Sequence, residues 1–242
     1  LTRWLKQWPT VWVALEATGT YGDGVSAWLH EAGIPVSVVN PARIKAYSQS
    51  QLKRHKTDAI DAQLIADFCR TQQPPLWQPP SAAERELRDL VRHLDDLKAL
   101  RQAEKNRLEA KPATRAVQHI QQLVALLDGQ IVEVLRQIRD HLDRHPDLKA
   151  QHDLITSIPG LGDLSSYHLL AELGDIRRFS NVRQIVALLG LNPSQRQSGR
   201  SLHHTAGIAR MGRSRLRAAL YLPAVVASQH NPLLKVFAER LR

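Results

Sequence analysis

Several residue types are scarce in this sequence, and each shortage excludes a class of protein. The 242 residues include one cysteine, Cys69, so neither an internal disulfide framework nor a cysteine-rich zinc site is expected. No apolar run approaches the roughly 20 residues that a transmembrane helix needs. No signal peptide is recognisable either, so we expect a cytoplasmic protein without a membrane partner.

Acidic residues are missing from most of the C-terminal third. The formal net charge is +10 and the pI is about 10.2. No Asp or Glu lies between Asp175 and Glu239, whereas nine arginines and Lys235 fall in that interval. This distribution favours a polyanionic partner, and nucleic acid is the simplest one. A generic basic surface or an anionic membrane surface is the alternative.

The N-terminal part has the pattern of a strand, a helix and a second strand. Residues 10–15 predict a short apolar strand that ends at Glu16, residues 25–32 predict a helix closed by Gly33, and residues 34–39 predict the second strand. This order predicts a βαβ unit with parallel strands and functional groups at their carboxyl ends. Glu16 lies at such an end, although a solvated or helix-capping carboxylate would look the same.

Two aspartates, Asp58 and Asp61, stand three residues apart at the start of a predicted helix for which Thr57 is the expected N-cap. Carboxylates on one helix face could hold Mg²⁺ or Mn²⁺, with a third ligand from elsewhere. Acidic residues also simply stabilise a helix N-terminus. The preceding residues 41–56 predict a basic loop that brings a phosphate backbone to the metal. Its candidate nucleic-acid contacts are Lys53, Arg54 and Lys56.

A proline-rich segment over residues 74–80 predicts a linker after a first domain of residues 1–73. Beyond it, residues 81–148 show the three-four apolar alternation of two long helices that are interrupted at Pro112. These helices predict either an antiparallel hairpin or part of an intermolecular coiled coil. The second alternative would make the protein a homodimer or tetramer. The apolar positions are Leu87, Leu90, Leu94, Leu97 and Leu108, then Ile120, Val124, Leu127, Ile131, Val134, Ile138 and Leu142.

Residues 149–242 predict a mainly helical C-terminal domain. A helix, a turn with Gly160 and Gly162, and a helix over residues 164–173 resemble a helix-hairpin-helix element, whose turn amides can contact a phosphate. An ordinary tight turn between two helices is the alternative. A further helix is expected over residues 181–189, and a last, basic helix over residues 212–229. Candidate nucleic-acid contacts in this domain are Gly160, Gly162, Arg196, Arg200, Arg213, Arg215 and Arg217.

Residues 192–201 predict a loop rich in hydroxyl groups and arginine, in which Ser198 precedes Gly199. A serine among arginines is either a nucleophile or a hydroxyl that contacts phosphate. No His/Asp dyad is spaced to activate Ser198, and His203 and His204 are interpreted as contact residues and not as bases.

Taken together, these motifs resemble the DEDD-type transposases of bacterial insertion sequences. The N-terminal resemblance is carried by Leu15-Glu16-Ala17-Thr18-Gly19 with Tyr21, by Val39-Asn40-Pro41, and by Lys56-Thr57-Asp58 with Asp61-Ala62. The C-terminal resemblance is carried by Ile158-Pro159-Gly160 with Gly162, Leu189-Gly190-Leu191 with Pro193, Ser198-Gly199, and Gly212 with Leu216-Arg217.

The resemblance implies a fold of the class α/β plus all-α. We expect a partial RNase H/RuvC-like domain, a helical coiled-coil hairpin, and a mainly helical transposase domain with a helix-hairpin-helix-like element. Glu16, Asp58 and Asp61 would be the second, third and fourth metal-binding carboxylates. The first aspartate, expected before Val11, has no counterpart. This absence favours a domain without its first strands and puts the activity of this chain in question.

The resemblance also implies a serine nucleophile at Ser198, with Ser201 and Ser194 as weaker matches, and a structured guide RNA that pairs with DNA. The expected function is that of a transposase or recombinase that cuts and rejoins DNA with Mg²⁺ or Mn²⁺. One alternative is a metal-dependent nuclease of the Holliday-junction type, in which water attacks the phosphate. The other is an inactive remnant that only binds nucleic acid.

Overall fold

The structure is a computed structural model in two compact units, residues 1–79 and residues 80–242. It describes residues 1–17, 21–51, 57–111, 113–198, 202–208 and 212–241, without the side chains of residues 2, 21, 114, 194–198 and 202–206. Within these ranges, no helix is long and apolar enough to cross a membrane.

The first unit contains the predicted βαβ unit. Its elements are α1 (Thr2–Leu5), β1 (Val13–Glu16), α2 (Tyr21–Glu31), β2 (Val36–Val39), α3 (Pro41–Ser50) and α4 (Asp58–Gln72). The strands β1 and β2 pair in parallel from Val13↔Val36 to Glu16↔Val39, as predicted. Both begin later than the sequence indicates. The two faces are covered by different groups: Leu29 of α2 packs with Val36, whereas Ile44, Leu64 and Phe68 pack with Val39.

The predicted basic loop over residues 41–56 is wrong for its first ten residues, which form α3. The side chain of Asn40 accepts a hydrogen bond from the backbone N–H of Ala42 at 2.8 Å, and Pro41 occupies the first helical turn. Ile44 is buried, and the Tyr47 ring packs edge-on against Phe68 of α4. A good N-cap and two buried contacts therefore stabilise a helix that is otherwise polar. Residues 52–56 lie outside the described part.

The predicted proline-rich linker packs on the first unit along part of its length. The backbone N–H of Trp77 donates to the Val36 carbonyl at 2.7 Å. The hydroxyl of Ser37, which accepts a hydrogen bond from the Trp12 indole, donates to the Pro75 carbonyl at 2.9 Å. The segment therefore runs beside β2 before the second unit begins.

In its described residues, the second unit is helical except for one β-hairpin. Its elements are α5 (Ala82–Glu109), α6 (Thr114–Arg144), α7 (Pro146–Thr156), α8 (Asp163–Leu173), a 3-10 turn (Ile176–Arg178), α9 (Val182–Leu189), β3 (Pro193–Ser198), β4 (Leu202–Ile208), α10 (Ser214–His230) and α11 (Pro232–Arg240). The loop predicted over residues 192–201 is wrong for residues 193–198, which pair antiparallel with residues 202–208, and residues 199–201 lie outside the described part. Neither strand has the apolar alternation that would have indicated it. The helix α11 was not predicted.

The helices α5 and α6 form an antiparallel hairpin within one chain, which confirms the first of the two alternatives. His141, near the end of α6, hydrogen-bonds to the Ala83 carbonyl at the start of α5 at 2.9 Å, and Arg101 lies 2.9 Å from Asp128. The shared core contains Leu87, Val91, Leu94, Leu97, Leu127, Ile131, Val134, Ile138 and Leu142, together with Tyr167, Leu170 and Ala171 of α8. Dimerisation through these helices stays a prediction. A dimer interface would have to use residues other than these, because these side chains are already buried within one chain.

Candidate functional site

Glu16, the first of the predicted carboxylates, is the last residue of β1 and lies at the carboxyl end of the parallel pair. Its side chain is half-buried. A cleft of about 420 Å³ opens between β1 and α4, lined by apolar groups such as Trp12, Ile65 and Cys69, with Glu16 and Arg70 as its charged residues. Burial raises the pKa of the Cys69 thiol, so the thiol is protonated at neutral pH.

Asp58 and Asp61 occupy the first turn of α4, as predicted. The Thr57 hydroxyl accepts the Ile60 N–H at 3.3 Å, which confirms the N-cap. Asp58 is exposed and Asp61 is half-buried. Among the residues that the structure describes, no three His, Cys, Asp or Glu side chains lie close enough together to hold a metal ion. The oxygen ligands suit Mg²⁺ or Mn²⁺. Asp58, Asp61 and Glu16 do not lie close enough together to form a three-ligand metal site.

Ser198 is the last residue of β3, where its backbone pairs with that of Leu202. The other end of the hairpin is the pair Pro193↔Ile208. Ser198 lies five positions after Pro193, which corresponds to roughly 16 Å along an extended strand. Ser198 therefore stands at the tip of the hairpin and not at its base. Several predicted residues lie outside the description, either entirely or in their side chains: Lys53, Arg54, Lys56, Ser194, Arg196, Ser198 (side chain only), Arg200 and Ser201.

The base of this β-hairpin is formed by the C-terminus of α9. Gly190 adopts a left-handed conformation with φ 66°, and its N–H donates to the Ala187 carbonyl at 3.0 Å. The N–H of Leu191 donates to the Val186 carbonyl at 3.1 Å. This is the usual glycine-terminated end of a helix, and it satisfies two of the last four carbonyls of α9.

The other two terminal carbonyls of α9 are satisfied from beyond the hairpin. The backbone N–H of Arg213 donates to the Leu188 carbonyl at 2.8 Å. The guanidinium of Arg217 donates through Nη1 to the Leu189 carbonyl at 2.7 Å. The chain before β3 is thereby tied to the chain after β4. We call these two bonds, together with Gly212, the base clamp.

Gly212 permits this close approach. A Cβ atom at this position would lie 2.4 Å from the Leu188 carbonyl oxygen and 2.5 Å from the Gly190 nitrogen. Backbone atoms cannot move aside as a flexible side chain can. Any larger residue at position 212 would therefore push the two ends of the hairpin apart.

All three arginines predicted to bind nucleic acid at the start of α10 lie close to acceptor groups of the fold. Arg217 donates to the Leu189 carbonyl, and Arg213 lies 3.5 Å from the buried carboxylate of Glu172. Burial lowers the pKa of Arg213, an effect that Glu172 opposes. Arg215 is 3.9 Å from Asp96 and about half exposed, so it is the most accessible of the three.

The turn with Gly160 and Gly162 joins α7 to α8, which is the order of elements predicted for the helix-hairpin-helix-like segment. Gly160 has φ +103°, and a Cβ atom there would lie 2.7 Å from the Ala227 Cβ of α10. Its close packing on α10 therefore accounts for this glycine without any ligand. Gly162 is the N-cap residue that precedes α8, and a Cβ atom there would meet open space.

A serine, a histidine and an aspartate also meet between α7 and α8, a grouping that the sequence interpretation missed. The Ser166 hydroxyl and His152 Nδ1 are 2.9 Å apart, and His152 Nε2 is 3.7 Å from Asp163. The side chain of Ser166 is fully buried, and the His152 ring stacks on Tyr167. A buried hydroxyl cannot reach a DNA phosphate, so this group is a hydrogen-bonded part of the core.

Comparison with known proteins identifies the family. Residues 1–111 match a family model described as Transposase, and residues 152–239 match one described as Transposase IS116/IS110/IS902 family. A pilin gene-inverting protein of Moraxella bovis is 33% identical over 252 residues, spanning 100% of this chain and 76% of that protein. A transposase for insertion sequence element IS1111A of Coxiella burnetii is 26% identical over 249 residues, spanning 90% and 66%. The chain belongs to the IS116/IS110/IS902 family of transposases.

Proposed function

We propose that this DNA transposase cuts and rejoins DNA through Ser198 as the nucleophile. The observation that carries the proposal is the position of Ser198 at the tip of a β-hairpin whose base is tied to α9. A nucleophile that attacks a backbone phosphate of bound DNA must be accessible, and a hairpin tip that extends from the helical core supplies such a position. The base of the hairpin must also be held in a fixed position so that the nucleophile is aligned with the phosphate, and the base clamp would do this.

The proposed chemistry is a transesterification that conserves the phosphodiester bond. The Ser198 Oγ attacks the scissile phosphorus, an Oγ–P bond forms, and the bond from phosphorus to the 3′ oxygen breaks. The serine proton passes to solvent or a nearby base, and the departing 3′ oxygen takes up a proton to become a free 3′ hydroxyl. A 3′ hydroxyl of another strand then attacks the serine-linked phosphorus and releases Ser198, so no external energy source is needed.

Positive charge near Ser198 would stabilise the charge that develops on the phosphate oxygens. Arg196 precedes Ser198 by two residues in β3, and Arg200 follows it by two residues in the sequence. Guanidinium groups bind phosphate oxygens in a bidentate manner, and donors of this type are effective at a transition state that gains charge. We propose that Arg196 and Arg200 serve this purpose.

A divalent ion is the second part of the proposal, since DEDD transposases generally depend on divalent metal. Glu16, Asp58 and Asp61 would hold Mg²⁺ or Mn²⁺ together with a phosphate oxygen of the bound DNA. When bound, the ion would neutralise charge on the phosphodiester. Titration calorimetry with Mn²⁺ and DNA should show at least tenfold weaker metal binding for Asp58→Asn and Asp61→Asn. Asp89→Asn, an exposed change on α5, is the matched control, and equal affinities would contradict the assignment.

The nucleophile is tested by trapping the covalent intermediate. With a cleavable DNA substrate and Mg²⁺, we expect a protein–DNA adduct on a denaturing gel for the wild type and none for Ser198→Ala. Ser194→Ala and Ser201→Ala should retain the adduct. An adduct that survives in Ser198→Ala would show that another residue attacks. Metal-dependent cleavage without any adduct would favour the nuclease alternative, and salt-sensitive binding without cleavage would favour the inactive remnant.

A structured RNA is the proposed source of sequence selection. The chain has a net charge of +10, and contacts from basic groups to phosphates position a protein without carrying sequence information. Base pairing by a guide RNA would supply the missing specificity. Purification under native conditions, followed by sequencing of the co-purified RNA, should yield one defined species. Recombination that proceeds at a chosen site after ribonuclease treatment would contradict this part.

Site-specific inversion is a second candidate outcome of the same chemistry, because the Moraxella bovis relative is named a pilin gene-inverting protein. Inversion and transposition differ in the arrangement of the two DNA sites and not in the bonds broken. A plasmid with two recombination sites in inverted orientation distinguishes them. Inverted products without insertion elsewhere would favour an invertase, and insertion into a second plasmid would favour a transposase.

A further inference from the structure

We propose that Arg217 is a positioning residue, which acts on the reaction by fixing the base of the hairpin that carries Ser198. This inference rests on the proposed role of Ser198. It assigns to Arg217 a task different from the phosphate contact that its position in a basic helix suggested. The inference is carried by the base clamp, in which a side chain of α10 completes the end of α9.

Arg217 is well suited to this acceptor. The Leu189 carbonyl lies in the last turn of α9, where the helix dipole concentrates partial negative charge. A guanidinium is a charged donor, and charge-assisted hydrogen bonds are shorter and stronger than neutral ones. The 2.7 Å distance agrees with this, and the side chain of Arg217 is half-buried. Loss of the donor would leave the Leu189 carbonyl without this partner in a partly buried position, which is costly.

The neighbouring residues hold Arg217 in place. Leu216, the preceding residue, is fully buried and anchors the first turns of α10. Arg213, one helical turn earlier, donates its backbone N–H to Leu188 and is paired with Glu172. The guanidinium of Arg217 therefore extends from α10, whose first turns are held in place, to the C-terminus of α9. The β-hairpin lies between these two helices in the sequence.

The clamp matters because the backbones of β3 and β4 lie chiefly beside each other. In the described part of the chain, neither strand runs for any length beside a helix backbone. A small rotation at the base is amplified along the strands, since Ser198 lies roughly 16 Å from Pro193. A displacement near 1 Å can cost on the order of 100-fold in rate when the reacting atoms must be aligned.

The test compares Arg217→Met with Arg217→Lys in the full chain. Met keeps much of the side-chain length and loses every donor, whereas Lys keeps the charge and one donor group. We measure the adduct rate in a single turnover at saturating DNA, and separately the DNA affinity at several salt concentrations. For Met we expect a rate roughly 10- to 100-fold lower with unchanged affinity and salt slope. Lys should recover part of the rate.

Two further variants serve as references. Arg136→Met removes one arginine from an exposed face of α6 and controls for the change in net charge. Arg215→Met, two residues from Arg217, should show the opposite behaviour, with weaker binding and a salt slope smaller by about one ion. If Arg217→Met gives that pattern with a normal rate at saturation, Arg217 is a phosphate contact and the proposal is overturned.

Amide hydrogen exchange gives a readout that needs neither DNA nor chemistry. In Arg217→Met we expect faster exchange in peptides from residues 188–213 and unchanged exchange in α5 and α6. Faster exchange in α5 and α6 as well would mean that the Met variant is destabilised as a whole. In that case Arg217→Lys replaces it in the measurements of adduct rate and of hydrogen exchange. Exchange over residues 188–213 that matches the wild type would contradict the clamp. If no wild-type adduct forms at Ser198, the proposed function fails, and the exchange result still decides whether Arg217 holds the base.

Discussion

The second unit contains two hairpins that are held together in different ways. The helical hairpin of α5 and α6 is stabilised by apolar side chains, among them Leu87, Leu94 and Ile138, which are all fully buried. The β-hairpin of β3 and β4 is held at its base by hydrogen bonds to the Leu188 and Leu189 carbonyls, one of them from the Arg217 guanidinium. The close approach of the chain at this base is possible because Gly212 has no side chain. The first arrangement provides stability, whereas the second would hold the proposed nucleophile, Ser198, in a fixed position.

The helical hairpin should show the larger loss of stability when one side chain is shortened. Leu94 has no exposed surface and lies in the core shared by α5, α6 and α8. Leu94→Ala should lower the free energy of unfolding by about 3–5 kcal/mol, because it removes buried apolar surface and leaves a cavity. Urea denaturation measures this change. A loss below about 1 kcal/mol would contradict the packing described for this core.

The base clamp should be sensitive to one added methyl group. Gly212→Ala places a Cβ against the Leu188 carbonyl and the Gly190 nitrogen, and we expect about 2–3 kcal/mol of destabilisation together with loss of the Ser198 adduct. Urea denaturation and the adduct gel measure the two effects. Gly129→Ala is the matched control: Gly129 lies within α6 with open space around it, so this change should stabilise by up to about 1 kcal/mol. Equal behaviour of the two variants would mean that position 212 tolerates a side chain.

A smaller, pH-dependent effect should arise where α8 packs on α5. Burial lowers the pKa of His168 below its usual value of 6.5, partly offset by Asp95 at 3.5 Å. The other charged groups acting on His168 are Lys98, Glu172 and Arg215. The unfolded chain binds the proton more readily than the folded one. The stabilising effect of neutral His168 is therefore present above pH 6.5 and is lost as the pH falls from 6.5 towards the folded-state pKa.

The pH effect is measured from urea midpoints at pH 7.5 and pH 5.5. The wild type should lose more stability on acidification than His168→Gln. His119→Gln, a change at an exposed histidine of α6, should behave like the wild type. If His168→Gln and the wild type show the same pH dependence, His168 titrates in the folded protein as it does in the unfolded chain.

The two hairpins also differ in how far the sequence predicts them. The spacing of Leu87, Leu94 and Ile131 indicates the helices directly, because side-chain burial follows the helical period. The strands of the β-hairpin escaped prediction because Ser, Gln and Arg dominate residues 193–198. The sequence resemblance indicates Ser198 as the candidate nucleophile, but it does not predict that Ser198 lies at the tip of a β-hairpin.

The spacing of residues in the sequence does not reveal the base clamp. Its acceptors are the carbonyls of Leu188 and Leu189, and every residue has a carbonyl. Arg217 was interpreted as a phosphate contact because it lies in a basic helix, and α3 was interpreted as a loop because its residues are polar. The contact that decides the role of Arg217 is made with a group distant in the sequence, and so is the contact of Tyr47 with Phe68 that supports α3, whereas the Asn40 N-cap of α3 is local. The carboxylates Glu16, Asp58 and Asp61 were placed correctly on their elements, and their role as a metal site stays a prediction.

The most direct test of the central claim is to identify the atom to which DNA becomes attached. The trapped adduct is digested with nuclease and protease, and the modified peptide is sequenced by tandem mass spectrometry. We predict a nucleotide linked through its 5′ phosphate to Ser198. A nucleotide found on Ser194, Ser201 or any residue outside the β-hairpin would contradict the account.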